Sequence, residues 1–420
     1  MDDSLLTYIL NTTYTFLLLL ATYVYLSFAA RNSPTIRKNG GIVTVALLAW
    51  LLYFSIFINF RDSFPASDAG YHQEQAEAIS EYISYGHYSF ITSYLRPGNQ
   101  CFEFFCGIFM AVMRADTWVF QLAGYLYGFT GLCHLITLMD RQSGGQSQSR
   151  FLTFFILFLP SFIFWTPDLL KEGFCLGCNA RIATLLFSSS TNDFAIQSRE
   201  KLSAFIALIG LVLLRPHFAL AWFAGLSIGP AIANGKYGKA VVFSSFGVVG
   251  LAMLAVCIPE IFDKFAEDGV TSTLQGEYSA RADLGGSSLG RGNPIPVITG
   301  ASLILFRPFP WEVSGAVGLF VSAESLLTGM LLVYGMFHIR YSKRILKDPV
   351  LMGGIIVALV YFAEFSYMYN FGLMIRQRIC VYPALFLIAF PYYTIARSLK
   401  AKVLTQHFRH SSFATHQRAA

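Results

Sequence analysis

Asp68 is the residue of this chain best suited to acid–base chemistry. It stands in the polar segment Arg61–Pro97, after two long apolar stretches, and Tyr71 and His72 follow it closely. A carboxylate at the mouth of a membrane bundle can take a proton from a substrate hydroxyl. We therefore expect Asp68 to be a catalytic base, with Tyr71 and His72 contacting substrate.

A second ionisable group follows Trp165, Thr166 and Pro167, where an apolar stretch ends. It comprises Asp168, Lys171 and Glu172. Residues four apart share a face if the segment is helical, which would pair the two acids. Because a hairpin needs only small polar residues, we interpret the acids as catalytic and the lysine as substrate-binding. The alternative is a local lysine salt bridge that caps the next helix.

Arginines beside prolines or before a span form a third group. A guanidinium presents a planar fork that fits phosphate oxygens, and converging arginines would hold a phosphate or pyrophosphate. Anchoring to lipid headgroups is the alternative. The substrate-binding candidates from these segments are Arg215, His217, Arg307, Glu312, Arg376 and Arg378.

Three further ionisable residues have less defined roles. His72 and His217 each stand alone in their segments, which favours interfacial histidines over metal ligands. Glu364 lies inside an apolar stretch, where a carboxylate usually faces a cavity or a partner, and we expect that partner to be Arg378 or Arg307.

Composition indicates an integral membrane protein. Of 420 residues, 55% are hydrophobic and 13% are charged, and the mean hydropathy is +0.53. A spanning helix needs roughly 17–25 apolar residues, and counting shorter segments the chain has about eleven candidates. They are Leu5–Phe28, Gly41–Phe60, Thr117–Met139, Phe151–Trp165, Phe174–Phe187, Leu202–Leu214, Phe218–Ala233, Ala240–Cys257, Gly315–Phe337, Leu351–Tyr369 and Cys380–Ile395.

Lysine and arginine positions predict the orientation, because cytoplasmic connections retain basic residues. With the N-terminus outside, the basic segments all fall on the cytoplasmic side, so the formal charge of +6 reflects topology and not nucleic-acid binding. They are Ala29–Gly40, Asp140–Arg150, Ser188–Lys201, Asn234–Lys239, His338–Pro349 and the tail 397–420.

The outer face then receives the first loop, 61–116, and a long loop, 259–312. Within the first loop, Ala76, Ile79, Tyr82 and Ile83 are spaced for one apolar face of an interfacial helix. We thus expect an all-α polytopic catalytic domain over 1–396, followed by the basic cytoplasmic tail.

This layout resembles the GT-C superfamily, the polytopic glycosyltransferases that use polyprenyl-phosphate-linked sugars. Asp68 with Tyr71 matches the first-loop acid of that family, and Asp168 or Glu172 matches the acid of its second outer turn. The segments Phe164–Glu172, Leu214–Pro216 and Phe306–Glu312 also look like those of bacterial surface-polysaccharide enzymes. Many relatives have paired acids in the first loop, whereas Ala69 follows Asp68 here, so either no cofactor or a divalent metal ion is expected.

The resemblance implies transfer of a sugar, with inversion, from a polyprenyl-phosphate donor to a glycan or lipid acceptor. The reaction would occur on the outer face of the bacterial inner (cytoplasmic) membrane, with the C-terminus cytoplasmic. Two alternatives stay open. A Wzy-like polymerase or a ligase would depend on arginines more than on an acid. A secondary transporter or lipid-linked-glycan flippase would carry charges near the centres of its spans.

The orientation generates a first prediction. In a cysteine-free background, single cysteines near Gly290 and Lys343 should react with a membrane-impermeant reagent from opposite sides, the former from outside. Labelling of both from one side would contradict the orientation and the placement of the outer-loop candidates.

Overall fold

The computed structural model describes residues 3–60, 68–89, 94–187, 197–235, 296–313, 315–341, 345–366 and 371–418. These ranges are helical and contain no β-strand. The helices of the first half are α1 (Asp3–Asn32), α2 (Pro34–Lys38), α3 (Gly40–Asn59), α4 (Ala69–Ser84), α5 (Asn99–Met113), α6 (Thr117–Gln142), α7 (Arg150–Leu157), α8 (Pro160–Trp165), α9 (Glu172–Ile182) and α10 (Thr184–Phe187).

The second half is also helical where it is described. Its helices are α11 (Ser198–Leu214), α12 (Pro216–Ala233), α13 (Pro296–Leu305), α14 (Gly315–Met336), α15 (Pro349–Phe365), α16 (Phe371–Arg378) and α17 (Tyr382–Arg418), with short 3-10 turns at Pro310–Glu312, Phe337–Tyr341 and Ile345–Lys347.

Several of these helices can cross a membrane. Among the described residues, five are long and apolar enough, and a sixth span results if α16 and the start of α17, bent by 53°, are counted together. The five are Ser4–Asn32, Gly40–Asn59, Thr117–Gln142, Pro216–Ala233 and Gly318–Arg340. The all-helical membrane character predicted from composition is therefore present. The candidate span Ala240–Cys257 and most of the loop 259–312 lie outside the described residues.

Proline residues explain where two helical breaks occur, one inside a predicted span and one between two predicted spans. The stretch Phe151–Trp165 forms two helices, because Pro160 begins α8 and cannot donate the backbone hydrogen bond that would continue α7. Pro216 likewise separates α11 from α12. Each break turns the chain without leaving the bundle.

Helix α6 is the centre of the bundle, since 83% of the residues in its 18-residue apolar stretch are buried. Polar contacts tie one of its ends to α1 and the other to the segment with α2. Asn11 of α1 donates to Asp116 across 2.7 Å at the first end, and Ser33 and Thr35 donate to the buried Asp140 at the second. Since buried polar groups must be paired, these contacts set the relation of α6 to α1 and α2. We call the end with Asp140 the basic end, because the basic segments Ala29–Gly40 and Asp140–Arg150 lie there.

Glycines allow α6 and α9 to pack closely and in parallel. A Cβ atom at Gly131 would lie 2.8 Å from the Cα of Gly177, and one at Gly177 would lie 2.3 Å from the Tyr127 ring. Small residues at such positions let backbones approach in membrane bundles. This approach places Glu172, the first residue of α9, at the end of the bundle opposite the basic end.

The close approach generates a stability prediction. Gly177→Ala should lower the free energy of unfolding by roughly 1–3 kcal/mol through overpacking, measured by thermal unfolding in detergent. The matched control is Gly41→Ala, because a Cβ there meets nothing within 4 Å and alanine favours the helix. Equal stability of the two variants would show that α6 and α9 are not in close contact.

Candidate functional site

The end of the bundle opposite the basic end carries a chain of ionic contacts, which we call the ion cluster. It consists of Asp68, Glu172, Arg215 and Arg376, with Lys171 beside it. These residues come from segments far apart in sequence: the start of α4, the start of α9, the break between α11 and α12, and α16. The structure thus brings candidates from all three predicted groups together.

Glu172 is the buried centre of the ion cluster, with 1% of its side chain exposed. Its Oε1 accepts a hydrogen bond from Nη2 of Arg215 and lies 3.1 Å from Nε of Arg376. Two guanidinium groups therefore compensate one buried carboxylate. Burial is expected to raise the pKa of Glu172, but Arg376, Arg215 and Lys171 outweigh it and hold the pKa below the ordinary glutamate value.

Asp68 is the exposed end of the ion cluster, since 64% of its side chain is accessible. Its Oδ2 lies 3.3 Å from Nη2 and 3.4 Å from Nη1 of Arg376, distances that are long for a charge-assisted hydrogen bond. The Arg376 side chain is 15% exposed and reaches from this carboxylate to the buried one. Exposure thus rises stepwise from Glu172 through Arg376 to Asp68.

Local structure explains how these side chains are presented. Arg215 lies between α11, which ends at Leu214, and α12, which begins at Pro216, and in this break its side chain is 5% exposed. Glu172 begins α9, where the helix dipole favours an anion. Asp68 precedes α4, and its side chain makes no cap hydrogen bond.

Lys171 is buried beside the ion cluster and donates a hydrogen bond to Asn99. Burial, with a smaller contribution from Arg215, lowers the pKa of Lys171 to about 7, against the opposing effects of Cys175 and Glu172. Within the described residues Lys171 forms no salt bridge, so the alternative of a local salt bridge that caps the next helix is not observed there. The lysine instead adds a group whose charge responds to pH near neutrality.

Some buried polar atoms of the ion cluster have no hydrogen-bond partner among the described residues. They are Oε2 of Glu172 and Nε of Arg215, while Nε of Arg376 makes its ionic contact with Oε1 of Glu172 without a hydrogen bond. Unsatisfied buried groups are uncommon in folded proteins and mark places where water or a ligand can bind. The ion cluster therefore has unused hydrogen-bonding capacity.

Asp168 and Glu172 would share a face only if the segment that joins them were helical, and it is not. Residues 166–171 form a non-helical turn, and α9 begins only at Glu172. The carboxylate of Asp168 accepts a hydrogen bond from the backbone N–H of Leu169 across 2.8 Å. This contact shapes the turn that follows Pro167.

Two of the candidate arginines, Arg215 and Arg376, converge on the acids, and the other two have different partners. Arg307 pairs through both Nε and Nη2 with Glu312, five residues on. Arg378 is fully buried and donates to the backbone oxygen of Arg307 and, across 2.7 Å, to the hydroxyl of Ser325. Among these four arginines of the described residues, Arg215 and Arg376 are the two that contact the acids of the ion cluster. Each lies close to a carboxylate from another segment, Glu172 for both and also Asp68 for Arg376.

The two histidines have carboxylate partners that spacing did not reveal. Nδ1 of His72 lies 2.7 Å from Oε1 of Glu103, and both side chains are buried. Nε2 of His217 lies 3.4 Å from Oε1 of Glu364, for which Arg378 or Arg307 was expected. His72 thus joins α4 to α5, while Tyr71 points outward with 58% of its surface exposed.

Asn99 and Glu103 are site residues that sequence reasoning missed. Both lie on α5, within the predicted outer loop 61–116. A carboxylate at position 103 among phenylalanines and cysteines was an available signal, because an acid on an apolar face needs a partner.

A shared metal does not fit between the two acids of the ion cluster. The guanidinium of Arg376 contacts both carboxylates and occupies the position a bridging cation would take. Among the described residues, no group of three or more His, Cys, Asp or Glu side chains could hold a metal ion.

Comparison with known proteins adds no family assignment. No family model matches the chain, and no match is found among curated proteins or among solved structures.

The buried centre of the ion cluster generates a stability prediction. Glu172→Gln removes the charge that compensates two buried guanidinium groups, so the free energy of unfolding should fall by about 3–5 kcal/mol. The control Glu77→Gln removes an exposed acid of α4 and should change it by less than about 0.5 kcal/mol.

Lowering the pH should reduce the difference in free energy of unfolding between the wild-type protein and Glu172→Gln. The pKa of Glu172 is lowered in the folded state, so its contribution is full above the ordinary glutamate pKa of about 4.3 and is lost as pH falls through the lower folded value. Unfolding curves of both proteins between pH 7 and pH 3 would measure this. An undiminished gap at pH 3 would contradict an ionised Glu172.

Proposed function

We propose that the chain is a membrane glycosyltransferase of GT-C type. It moves a sugar, with inversion, from a polyprenyl-phosphate donor to a glycan or lipid acceptor on the outer face of the bacterial inner membrane. The polytopic fold has about eleven spans, with the N-terminus outside and the C-terminus cytoplasmic. The observation that carries the proposal is the contact between the exposed carboxylate of Asp68 and the guanidinium of Arg376.

The donor side of the proposal rests on Arg376 and Arg215. When the bond from the anomeric carbon to the phosphate oxygen breaks, negative charge develops on the departing phosphate and must be stabilised. The guanidinium of Arg376 is partly exposed, and its contacts with Asp68 are long enough to be exchanged for phosphate oxygens. Arg215 keeps Glu172 compensated when Arg376 turns to the phosphate.

The acceptor side rests on Asp68. Its carboxylate is the most exposed acid of the ion cluster and adjoins α4, whose buried face is Ala69, His72, Ala76 and Ile79. In the proposed reaction it removes the proton of the acceptor hydroxyl as the hydroxyl oxygen attacks the anomeric carbon. Tyr71, exposed one turn away, offers a ring against which a sugar face can pack.

Lys171 supports phosphate binding through its charge. With two acids and two arginines the ion cluster is close to neutral, and an arriving phosphate adds negative charge. The pKa of Lys171, lowered by burial to about 7, would rise beside the phosphate, so the lysine would take up a proton as the donor binds. The side chain remains tied to Asn99, which fixes its position.

The first test is Asp68→Asn, which keeps the shape of the side chain and removes its basicity. Transfer from a polyprenyl-phosphate sugar by purified protein should fall by roughly 10²–10⁴-fold, while donor binding stays near wild type. The control Glu74→Gln alters an exposed acid of the same helix and should transfer normally. Full transfer by Asp68→Asn would favour the polymerase or ligase alternative, which depends on arginines.

The second test is Arg376→Lys, which keeps the charge and loses the planar fork. A lysine ammonium lacks the separate Nε and Nη2 donors with which Arg376 contacts Glu172 and Asp68, so donor binding should weaken by about tenfold or more. Arg114→Lys alters an exposed arginine and serves as the control. Wild-type donor affinity in Arg376→Lys would remove this arginine from the phosphate site.

A further inference from the structure

A cavity of about 190 Å³ lies at the basic end of the bundle, away from the ion cluster. It opens among α1, α6, α9 and α11, and Phe28, His134, Arg181, Arg199, Glu200 and Ser203 are among its lining residues. Arg181 stands nine residues after Glu172 on α9, which separates the two sites by about 14 Å along the helix axis. The proposed transfer reaction uses none of the lining residues.

Arg181 gives the cavity a buried positive charge. Only 7% of it is exposed, and its guanidinium donates to the backbone oxygens of Tyr127 and Gly177 and to the hydroxyl of Thr130. It also stacks on the Tyr127 ring at 3.9 Å. Within the part of the chain that the structure describes, no carboxylate lies within ion-pair distance of this guanidinium.

Arg199 adds a second cation at the cavity mouth. Its guanidinium stacks 3.8 Å from the centre of the Phe28 ring, and it too contacts no carboxylate of the described residues. The acid of the cavity, Glu200, is already neutralised, since Arg141 binds both its oxygens at 2.6 and 3.0 Å. The cavity therefore has two positive charges that its own walls do not compensate.

Apolar surface completes one side of this cavity. Helix α1 contributes Tyr25, Phe28 and Ala29 to this side. Only 11% of the residues in the 18-residue apolar stretch of α1 are buried. Most of α1 would therefore face the acyl chains of a surrounding bilayer. A ligand that enters between α1 and α11 can leave an apolar tail in the bilayer while its charged end reaches the arginines.

We propose that this cavity binds the phosphate headgroup of an anionic phospholipid. Phosphate oxygens match guanidinium donors, and basic pockets between transmembrane helices are known to hold such headgroups. The volume suits a glycerophosphate group, with the acyl chains lying along α1. The site is separate from glycosyl transfer and would exist whatever reaction the ion cluster performs.

The experiment measures lipid retention by the full chain. Protein purified from nanodiscs containing equal phosphatidylglycerol and phosphatidylcholine is examined by native mass spectrometry for bound lipid. Wild type should retain phosphatidylglycerol in preference. Arg199→Gln should reduce that retention by about tenfold, because a charge-assisted contact is lost at an exposed residue whose replacement leaves the fold intact. Ser203→Trp, which fills the cavity and alters no charge, should have a similar effect.

The matched control is Lys201→Gln, which removes one exposed positive charge from α11 without altering the cavity lining. Retention of phosphatidylglycerol near the wild-type level in Lys201→Gln would support binding in the cavity. An equal loss of retention in Lys201→Gln and Arg199→Gln would overturn the proposal, because it would show general attraction of the lipid to surface charge. Competition with sn-glycerol 3-phosphate distinguishes the source of the phosphate. Displacement of the lipid at micromolar concentration would show that a soluble phosphate, and not a lipid, is the ligand.

Discussion

Burial of the Glu172 carboxylate is the constraint on which the rest of the site depends. An ionised acid with 1% exposure is stable only if charged donors accompany it, and here they come from the break before α12 and from α16. The same Arg376 that stabilises Glu172 reaches outward to Asp68. One electrostatic requirement thus joins four segments separated by up to 308 positions in the sequence.

The polar groups at the two ends of the bundle have different roles. At the end that carries the ion cluster, exposure increases from Glu172 through Arg376 to Asp68, so the exposed contact can change without disrupting the buried one. At the basic end, Asp140 is satisfied completely by Ser33 and Thr35, and its role is to join helices. Unsatisfied nitrogen and oxygen atoms of the ion cluster therefore indicate a binding role more strongly than burial alone.

Sequence reasoning predicted the helical membrane character and selected Asp68, Glu172, Arg215 and Arg376, which the structure brings together, because charges are costly beside apolar spans and so stand out. It assigned Arg307 and Arg378 to the same phosphate site, since spacing cannot show that Glu312 or Ser325 is nearer. It missed Glu103 and the pairing of His217 with Glu364, which arise only when distant helices pack. A single sequence does not show which residues that are far apart in the chain lie close together in the fold.

The most direct measurement is an experimental structure of the protein in lipid nanodiscs with a polyprenyl phosphate bound. The phosphate should lie at the end of the bundle that carries the ion cluster, with its oxygens about 2.7–3.0 Å from the guanidinium of Arg376 and the Asp68 carboxylate facing the position of the anomeric carbon. A phosphate bound away from Arg376, with the contacts of Arg376 to Asp68 and Glu172 unchanged, would contradict the proposed function.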